Sequence, residues 1–455
     1  MEIINKKYTS MTFYLRLISS YNDHMKSILS FDKQEVRNRE IIYTFEFQGD
    51  KYIYRLESDY IIPKLSNHLV ANIGLALSPY LFNLDDFDEI HVCTSYFKPQ
   101  QLKFFEDYLL KGMAEFRYMN NINPDKPIKI VNHFNPTDRL IDNVITESNS
   151  HKALLMFGGG KDSIVSKLIL DDIDFHYDYF AVNANYPTKK IIQNLNEKKT
   201  FVNINLIMDK NVKKGKLSGH KPGSSIWAFV SLLASIVGRY NSVISSNEYS
   251  ANFPQIKRQG GIDINHQYTK SYEFEINYTN YVQKYLVKNY RYFSLLRPLY
   301  ELQIAKMFVN FHKYLQEFIS CNVSYDEGKW CNNCPKCAFV YCIVAAFLEE
   351  NNVIKIWGQH VLENEKSAKY IYDLISDNLS PLECIGTVEE TLLALYFLKR
   401  KGFTKYIHSR YRQKILEILY KANISELESI IMGNFDRTHN INPLIANRLH
   451  FKKYS

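Results

Sequence analysis

No apolar run in this chain reaches the length of a membrane span. The longest, residues 226–237 with its interrupting serines and residues 338–348, are too short and read as buried helices. The first residues mix Glu, Lys and polar side chains with no sustained apolar core, so no secretory leader is expected and a cytoplasmic setting is. Cysteine is scarce and unevenly placed: three of the seven fall within 331–337. That crowding does not fit a dispersed disulfide framework and suits a reducing compartment with a metal site. Charge of one sign is barely in excess, 56 basic against 48 acidic residues for a net +8, which does not by itself imply nucleic acid. A multiply phosphorylated small substrate fits that balance equally well. The order Gly-x-x-x-x-Gly-Lys-Ser/Thr is absent, which excludes a Walker phosphate loop.

A chain of 455 residues, 46% hydrophobic and 14% aromatic, holds enough apolar surface for two or three domains with sizeable cores. Residues 1–147 read as an α+β domain. Phe45-Glu46-Phe47 and Tyr52-Ile53-Tyr54 flank a Gly-bearing turn as a β-hairpin, Asn67 to Tyr80 follows a helical pattern, Glu89 to Cys93 is a short strand, and Gln100 to Tyr118 a helix. This region carries no acid–base or metal cluster, and its expected role is support, with substrate orientation or dimerisation as the other reading. A linker rich in Asn, Asp, Pro and Ser runs from about 132 to 150. Residues 148–350 form the second domain, and 351–455 are mostly amphipathic helix, including 365–375 and 389–400.

The second domain opens on the stretch that organises the chain. The apolar run 153–156 reads as a buried strand, and 164–170 has helical spacing; between them stands Phe157-Gly158-Gly159-Gly160-Lys161-Asp162-Ser163. Glycines there let successive N–H groups converge, and the helix start adds its positive dipole end, a cradle for phosphate. Further strands at 179–183, 201–208 and 241–245, with helices between, imply a doubly wound parallel α/β sheet, whose ligands sit beyond the strand carboxyl ends. The loops expected there carry His220-Lys221-Pro222-Gly223-Ser224-Ser225, then Ser246 to Asn252 with Glu248, then Asp263 to Ser271 with His266 and Lys270. Glu248, Asp263, His266 and Lys270 are candidates to hold magnesium, contact a nucleotide or move a proton. His266 has the unperturbed pKa best suited to proton transfer, whereas Lys270 needs a depressed one. The residues alone do not choose between them.

Cys331, Cys334 and Cys337 are spaced by two residues, with Cys321 a short way upstream; four thiolates can close a tetrahedral shell around zinc. An iron–sulfur cluster or a redox thiol is the competing reading, and Cys342 reads as a buried core thiol. Thr387 and Glu390 are spaced as a capping box, and Gly386 with the acidic pair Glu389-Glu390 could also reach the site from the C-terminal region.

The order Gly-Gly-Lys-Asp-Ser resembles the loop of the ATP pyrophosphatase (PP-loop) superfamily, Ser-Gly-Gly-x-Asp-Ser, with Gly158 where Ser is usual. More narrowly, residues 150 to 390 resemble the UDP-N-acetylmuramoyl-L-alanyl-L-glutamate epimerase (MurL-type) family, in Gly158–Ser163, Asn247–Asn252, Asn265–Gln267, Lys270-Ser271, Phe274-Glu275, Arg297-Pro298, Ser320–Asn322, Cys331–Phe339 and Cys384–Glu390. The resemblance implies an adenine nucleotide α-hydrolase-like sheet and an AMP-forming activation of a substrate carboxylate by ATP and magnesium, followed by inversion at the adjacent α-carbon. It implies that Gly158, Gly159, Gly160, Lys161, Asp162 and Ser163 bind the nucleotide. Lys161, Asp162, Glu248, His266 and Lys270 are the catalytic candidates, and Cys321, Cys331, Cys334 and Cys337 hold a structural zinc. The expected partner is a nucleotide-linked or acyl small molecule. The cysteines also resemble those of the synthase that makes 7-cyano-7-deazaguanine, so an amidating, nitrile-forming or thiolating enzyme is the alternative, and a non-catalytic nucleotide sensor the third reading.

Overall fold

The computed structural model describes residues 26–134, 152–195, 197–376, 383, 385–433 and 435–449. Most of the expected linker before the glycine loop, and Cys384, lie outside them. Ten strands form one sheet: β1 (Ile28–Arg37), β2 (Glu40–Phe47), β3 (Asp50–Ser58), β4 (Glu89–Val92), β5 (Lys129–Asn132), β6 (Ala153–Met156), β7 (Tyr177–Val182), β8 (Phe201–Ile207), β9 (Ser242–Ser245) and β10 (Arg291–Ser294). Their spatial order is β10-β9-β6-β7-β8-β3-β2-β1-β4-β5.

Within it, β8-β7-β6-β9-β10 is wholly parallel, as expected of a doubly wound α/β unit. The chain leaves β6 outward through β7 and β8, then crosses back to lay β9 and β10 on the other side. The strand order therefore reverses beside β6, which is where such sheets open a crevice at their carboxyl ends. Residue alternation along these strands feeds two layers. Leu155, Tyr179, Ile244 and Phe293 meet the helices Lys161–Asp172, Glu301–Val309 and Pro335–Ala345 and the C-terminal helices beyond them. Leu154, Phe180, Val243 and Tyr292 meet the helices Asn67–Ala76, Pro99–Gly112, Gly223–Gly238 and Tyr272–Tyr285. Both faces are covered, so these strands read as apolar runs rather than as alternating ones.

The hairpin expected around Gly49 is β2–β3, longer than the sequence suggested, with Phe47 opposite Asp50 across Gln48-Gly49. Both turn residues have positive φ, 54° and 85°, the twist-compatible geometry of a two-residue hairpin. From that hairpin β3 pairs antiparallel with β8, Arg55 against Ile207 through Ser58 against Ile204. The ladder crosses the boundary expected at 147/148 and joins the N-terminal strands to the parallel half. The expected helix 100–118 is two helices, Pro99–Gly112 and Ala114–Met119, broken at Met113. No helix among the described residues is long and apolar enough to cross a membrane.

Gly74 lets the helix Asn67–Ala76 lie directly on β1 and β2. A methyl there would stand 2.7 Å from Tyr43 Cδ1 and closer still to Phe31 Cζ. Both rings are fully buried, so neither can swing into solvent. Gly74→Ala is therefore expected to lower stability by about 1–3 kcal/mol despite the better helix propensity of Ala. Urea unfolding of the two proteins checks this, and an unchanged or raised midpoint would contradict the close packing.

Candidate active site

The glycine loop follows β6 at the reversal point. Phe157 N–H still bonds to the Phe180 carbonyl, at 2.8 Å, and the chain then turns through Gly158–Gly160 into the helix Lys161–Asp172. Gly159 has φ +76°, and a methyl on it would press to 3.0 Å of Ile191 Cδ1, so backbone and space both ask for glycine. Gly158 has no such constraint: a Cβ there would meet only the Tyr325 hydroxyl, at an ordinary 3.8 Å. Its carbonyl accepts hydrogen bonds from the hydroxyls of Thr188 (2.9 Å) and Tyr325 (2.5 Å), which tie it to the helix Tyr186–Leu195 and to the cysteine-bearing segment. Ser163 donates to the Gly160 carbonyl at 3.0 Å.

A cavity of about 560 Å³ opens at this turn. Gly158, Gly160, Asp162, Ser163, Glu248 and Lys270 line it, together with the aromatic side chains of Tyr80, Trp227 and Tyr325. Lys161 lies beneath this lining, 1% exposed, with its ammonium paired to Asp162 and to Glu301, the first residue of the helix Glu301–Val309. Burial works against the lysine charge, but Asp162 and Glu301 outweigh it and hold the ammonium protonated. Burial likewise opposes ionisation of Glu301, and Lys161 with Lys336 more than offsets it; Lys336 Nζ stands 3.9 Å from the second Glu301 oxygen. Glu248 is buried as well. Burial first, and the neighbouring Glu301 charge next, push its carboxyl pKa up, while Lys270 pulls the other way.

Arg297, fully buried, fixes where Glu248 and Lys270 stand. It donates to the Glu248 carbonyl (2.9 Å), the Lys270 carbonyl (2.5 Å) and the Glu275 carboxylate (3.0 Å). One guanidinium thus pins the loop after β9 to the loop before the helix Tyr272–Tyr285. Glu390 backs the site from the C-terminal region through the expected capping box: its backbone N–H donates to the Thr387 hydroxyl (3.3 Å), and its carboxylate accepts from Thr387 N–H (2.9 Å). The same carboxylate also accepts from Leu302 N–H at 3.2 Å. Gly386 is needed beside it, because a Cβ would fall 2.6 Å from a Glu390 carboxylate oxygen.

Six of the expected site residues, Gly158, Gly160, Asp162, Ser163, Glu248 and Lys270, meet at the cavity. Gly159 and Lys161 build its floor from behind. His266 is elsewhere: its Nδ1 lies 2.6 Å from Glu115 and its ring packs on His220. Asp263 caps a turn by accepting from Arg258 N–H at 2.8 Å. Glu301, Arg297 and Lys336 escaped functional assignment from sequence. Lone charged residues on three separate elements give no local pattern of their own: Arg297 and Lys336 fell inside stretches that carry the family resemblance without a role assigned to them, and Glu301 fell outside any.

The sulfurs of Cys321, Cys331, Cys334 and Cys337 lie within 4.8 Å of one another. Ser324 N–H (3.2 Å) and Cys331 N–H (3.4 Å) point at the Cys321 sulfur, and Cys337 N–H (3.4 Å) at that of Cys334. Such donors favour thiolates, and four thiolates at this spacing need a cation among them, so the set fits zinc. Cys342 is fully buried in the apolar core, and burial pushes its thiol pKa up. Tyr325, which reaches the glycine loop, sits between the first two ligands.

Residues 30–295 match the MurL N-terminal domain, and residues 317–421 the MurL C-terminal domain. The chain belongs to the MurL family. The first MurL match includes the glycine loop, Glu248 and Lys270; the second includes all four clustered cysteines. Relatives named UDP-N-acetyl-alpha-D-muramoyl-L-alanyl-L-glutamate epimerase occur in Micromonospora sp. (32% identical over 306 residues, 63% of this chain and 65% of the relative) and in Xanthomonas oryzae pv. oryzae (28% over 312 residues, 65% and 67%). A third, from Salinispora tropica, is 30% identical over 306 residues, 63% of this chain and 64% of the relative. For the Micromonospora and Salinispora proteins the match spans slightly under two thirds of their length.

Glu390 makes the packing of this MurL site pH-sensitive. Burial raises its pKa from 4.5 to about 8, the Thr387 N–H opposing and the Glu301 charge assisting. The folded chain then holds a proton that the unfolded chain releases, so stability falls as pH rises from about 4.5 to about 8. Thermal unfolding across that range is expected to show the decline, and Glu390→Gln to flatten it; parallel curves for the two proteins would refute the assignment.

Proposed function

We propose that this chain epimerises the terminal L-Glu of UDP-N-acetylmuramoyl-L-alanyl-L-glutamate to D-Glu, a step in peptidoglycan precursor synthesis, by an ATP-dependent, AMP-forming route on a PP-loop-type sheet. The observation that carries the reading is the meeting of the glycine loop and Asp162 with Glu248 and Lys270 in one cavity. The names of the relatives supply the substrate.

The chemistry explains why both groups are wanted. An α-proton beside an ionised carboxylate is hard to remove, because the carbanion would add charge next to an existing one. Attack of the carboxylate on the α-phosphorus of ATP forms a mixed anhydride and expels pyrophosphate. The anhydride has lost that negative charge and withdraws electrons, so a base takes the Cα proton. Reprotonation on the opposite face inverts the centre, and water cleaves the anhydride to release AMP. In this reading Gly158–Gly160 and the helix start donate backbone N–H groups to phosphate, and Ser163 adds a hydroxyl. Lys161 holds the Asp162 carboxylate at the cavity edge, where Asp162 would hold magnesium; the ion would supply charge neutralisation at the departing pyrophosphate. Glu248, whose pKa burial raises, suits proton removal, and Lys270 suits proton return. We assign His266 no proton-transfer step, because its Nδ1 is engaged by Glu115.

Zinc on the four cysteines would set the segment that carries Tyr325 and Lys336, a structural task. The cysteine sulfurs converge on one another, and no cysteine among the described residues lines the cavity, which favours epimerisation over a thiolating reaction. We retain three modules, 1–147, 148–350 and 351–455, as functional divisions, and a cytoplasmic setting.

The test is to incubate the chain with ATP, magnesium and UDP-N-acetylmuramoyl-L-alanyl-L-glutamate in deuterated water. AMP, pyrophosphate and deuterium at the glutamate Cα are expected together, and Asp162→Ala should lower AMP formation by about a hundredfold or more. AMP release without Cα exchange would overturn the epimerase reading.

A further inference from the structure

We propose that Glu115, His220 and His266 form a second metal site, of the zinc class, separate from the four cysteines and from the cavity. The three residues come from distant segments: the helix Ala114–Met119, the loop before the helix Gly223–Gly238, and the loop that carries Lys270. One ligand atom of each lies within 4.8 Å of the other two. Two imidazoles and one carboxylate are a donor set that zinc and its transition-metal neighbours take.

The geometry is close to what such an ion requires. His266 Nδ1 and Glu115 Oε2 are 2.6 Å apart, a hydrogen-bond separation. Ligands of one tetrahedral zinc at 2.0–2.1 Å stand about 3.3 Å from each other, so a small rotation of the carboxylate admits the ion. The rings of His220 and His266 pack with centroids 3.9 Å apart and a 33° tilt, so a turn of one imidazole about its side-chain torsions brings a nitrogen of each to one point. His220 also hydrogen-bonds the His266 backbone, the kind of outer contact that orients a ligating imidazole.

The nearest cations are held off by other partners. Lys221 Nζ bonds to Asn83 Oδ1 at 2.7 Å and lies 3.7 Å over the Phe116 ring, and Lys270 Nζ bonds to Gln267 Oε1 at 3.3 Å. Glu115 and His266 are buried, and the triad does not line the cavity. A bound ion would clamp the N-terminal helix to the loop that places Lys270.

Cobalt(II) titration of the full-length protein tests this. Uptake of about one equivalent beyond the cysteine site is expected, with weak d–d absorption and no thiolate charge-transfer band. His220→Gln and Glu115→Gln should lose that equivalent and keep the thiolate band. Zinc K-edge absorption on the unmutated protein gives an answer independent of variant folding, with nitrogen and oxygen scatterers expected alongside sulfur. Identical cobalt uptake and spectra in wild type and His220→Gln, or sulfur-only zinc ligation in the wild type, would reduce the triad to a hydrogen-bonded Glu–His pair.

Discussion

A lysine ammonium and a glutamate carboxylate, both removed from water, hold this site together. Lys161 and Glu301 are each about 1% exposed, and desolvating two such ions costs several kcal/mol apiece. Their attraction offsets that cost only because each has a second partner: Lys161 reaches Asp162, and Glu301 faces Lys336. The pair fixes the first turn of the glycine-loop helix against the helix Glu301–Val309. Lys336, one residue from Cys337, extends the same charge network to the sulfur cluster. Asp162 is left oriented at the cavity edge by an arrangement set behind it.

The same design recurs one layer out. Arg297 is buried and directs two of its hydrogen bonds to backbone carbonyls and one to the Glu275 carboxylate, so it sets where the Glu248 and Lys270 loops run and does not line the cavity. Tyr325 does the corresponding work for the glycine loop, through the Gly158 carbonyl. Groups facing the cavity thus sit on loops, while the groups that place them are buried charges and hydroxyls on other elements. Loops so braced can present reactive side chains with little freedom.

What the sequence disclosed was local. Strand, glycine turn and helix are contiguous, and so are the hairpin around Gln48-Gly49, the Thr387–Glu390 capping box and the spacing of the cysteines; each appears in the fold close to where the pattern put it. What it withheld was pairing between distant segments. β10 has four residues, Arg291–Ser294, too few to establish a period, and its strand character comes from lying beside β9. The β3–β8 ladder joins residues some 150 positions apart, and nothing in either strand announces the other. Glu301 reads as an ordinary charged residue until the fold buries it, and Arg297, though inside a stretch that carries the family resemblance, shows its role only once buried. His266 drew attention for its intrinsic pKa, yet its environment is set by Glu115, far upstream in a region that carried no signal of its own.

A double-mutant cycle with Lys161→Met and Glu301→Met tests the role of the Lys161–Glu301 pair most directly, reading stability by denaturant and nucleotide affinity by calorimetry. Each single variant should lose about 3–5 kcal/mol, because it strands the opposite charge in the core, and the double variant should lose much less than their sum. All three should bind ATP poorly, since Asp162 either loses Lys161 or is left with a lysine that Glu301 no longer fixes from behind. Additive losses in stability, with ATP affinity retained in the double variant, would contradict the claim that this buried pair sets the site.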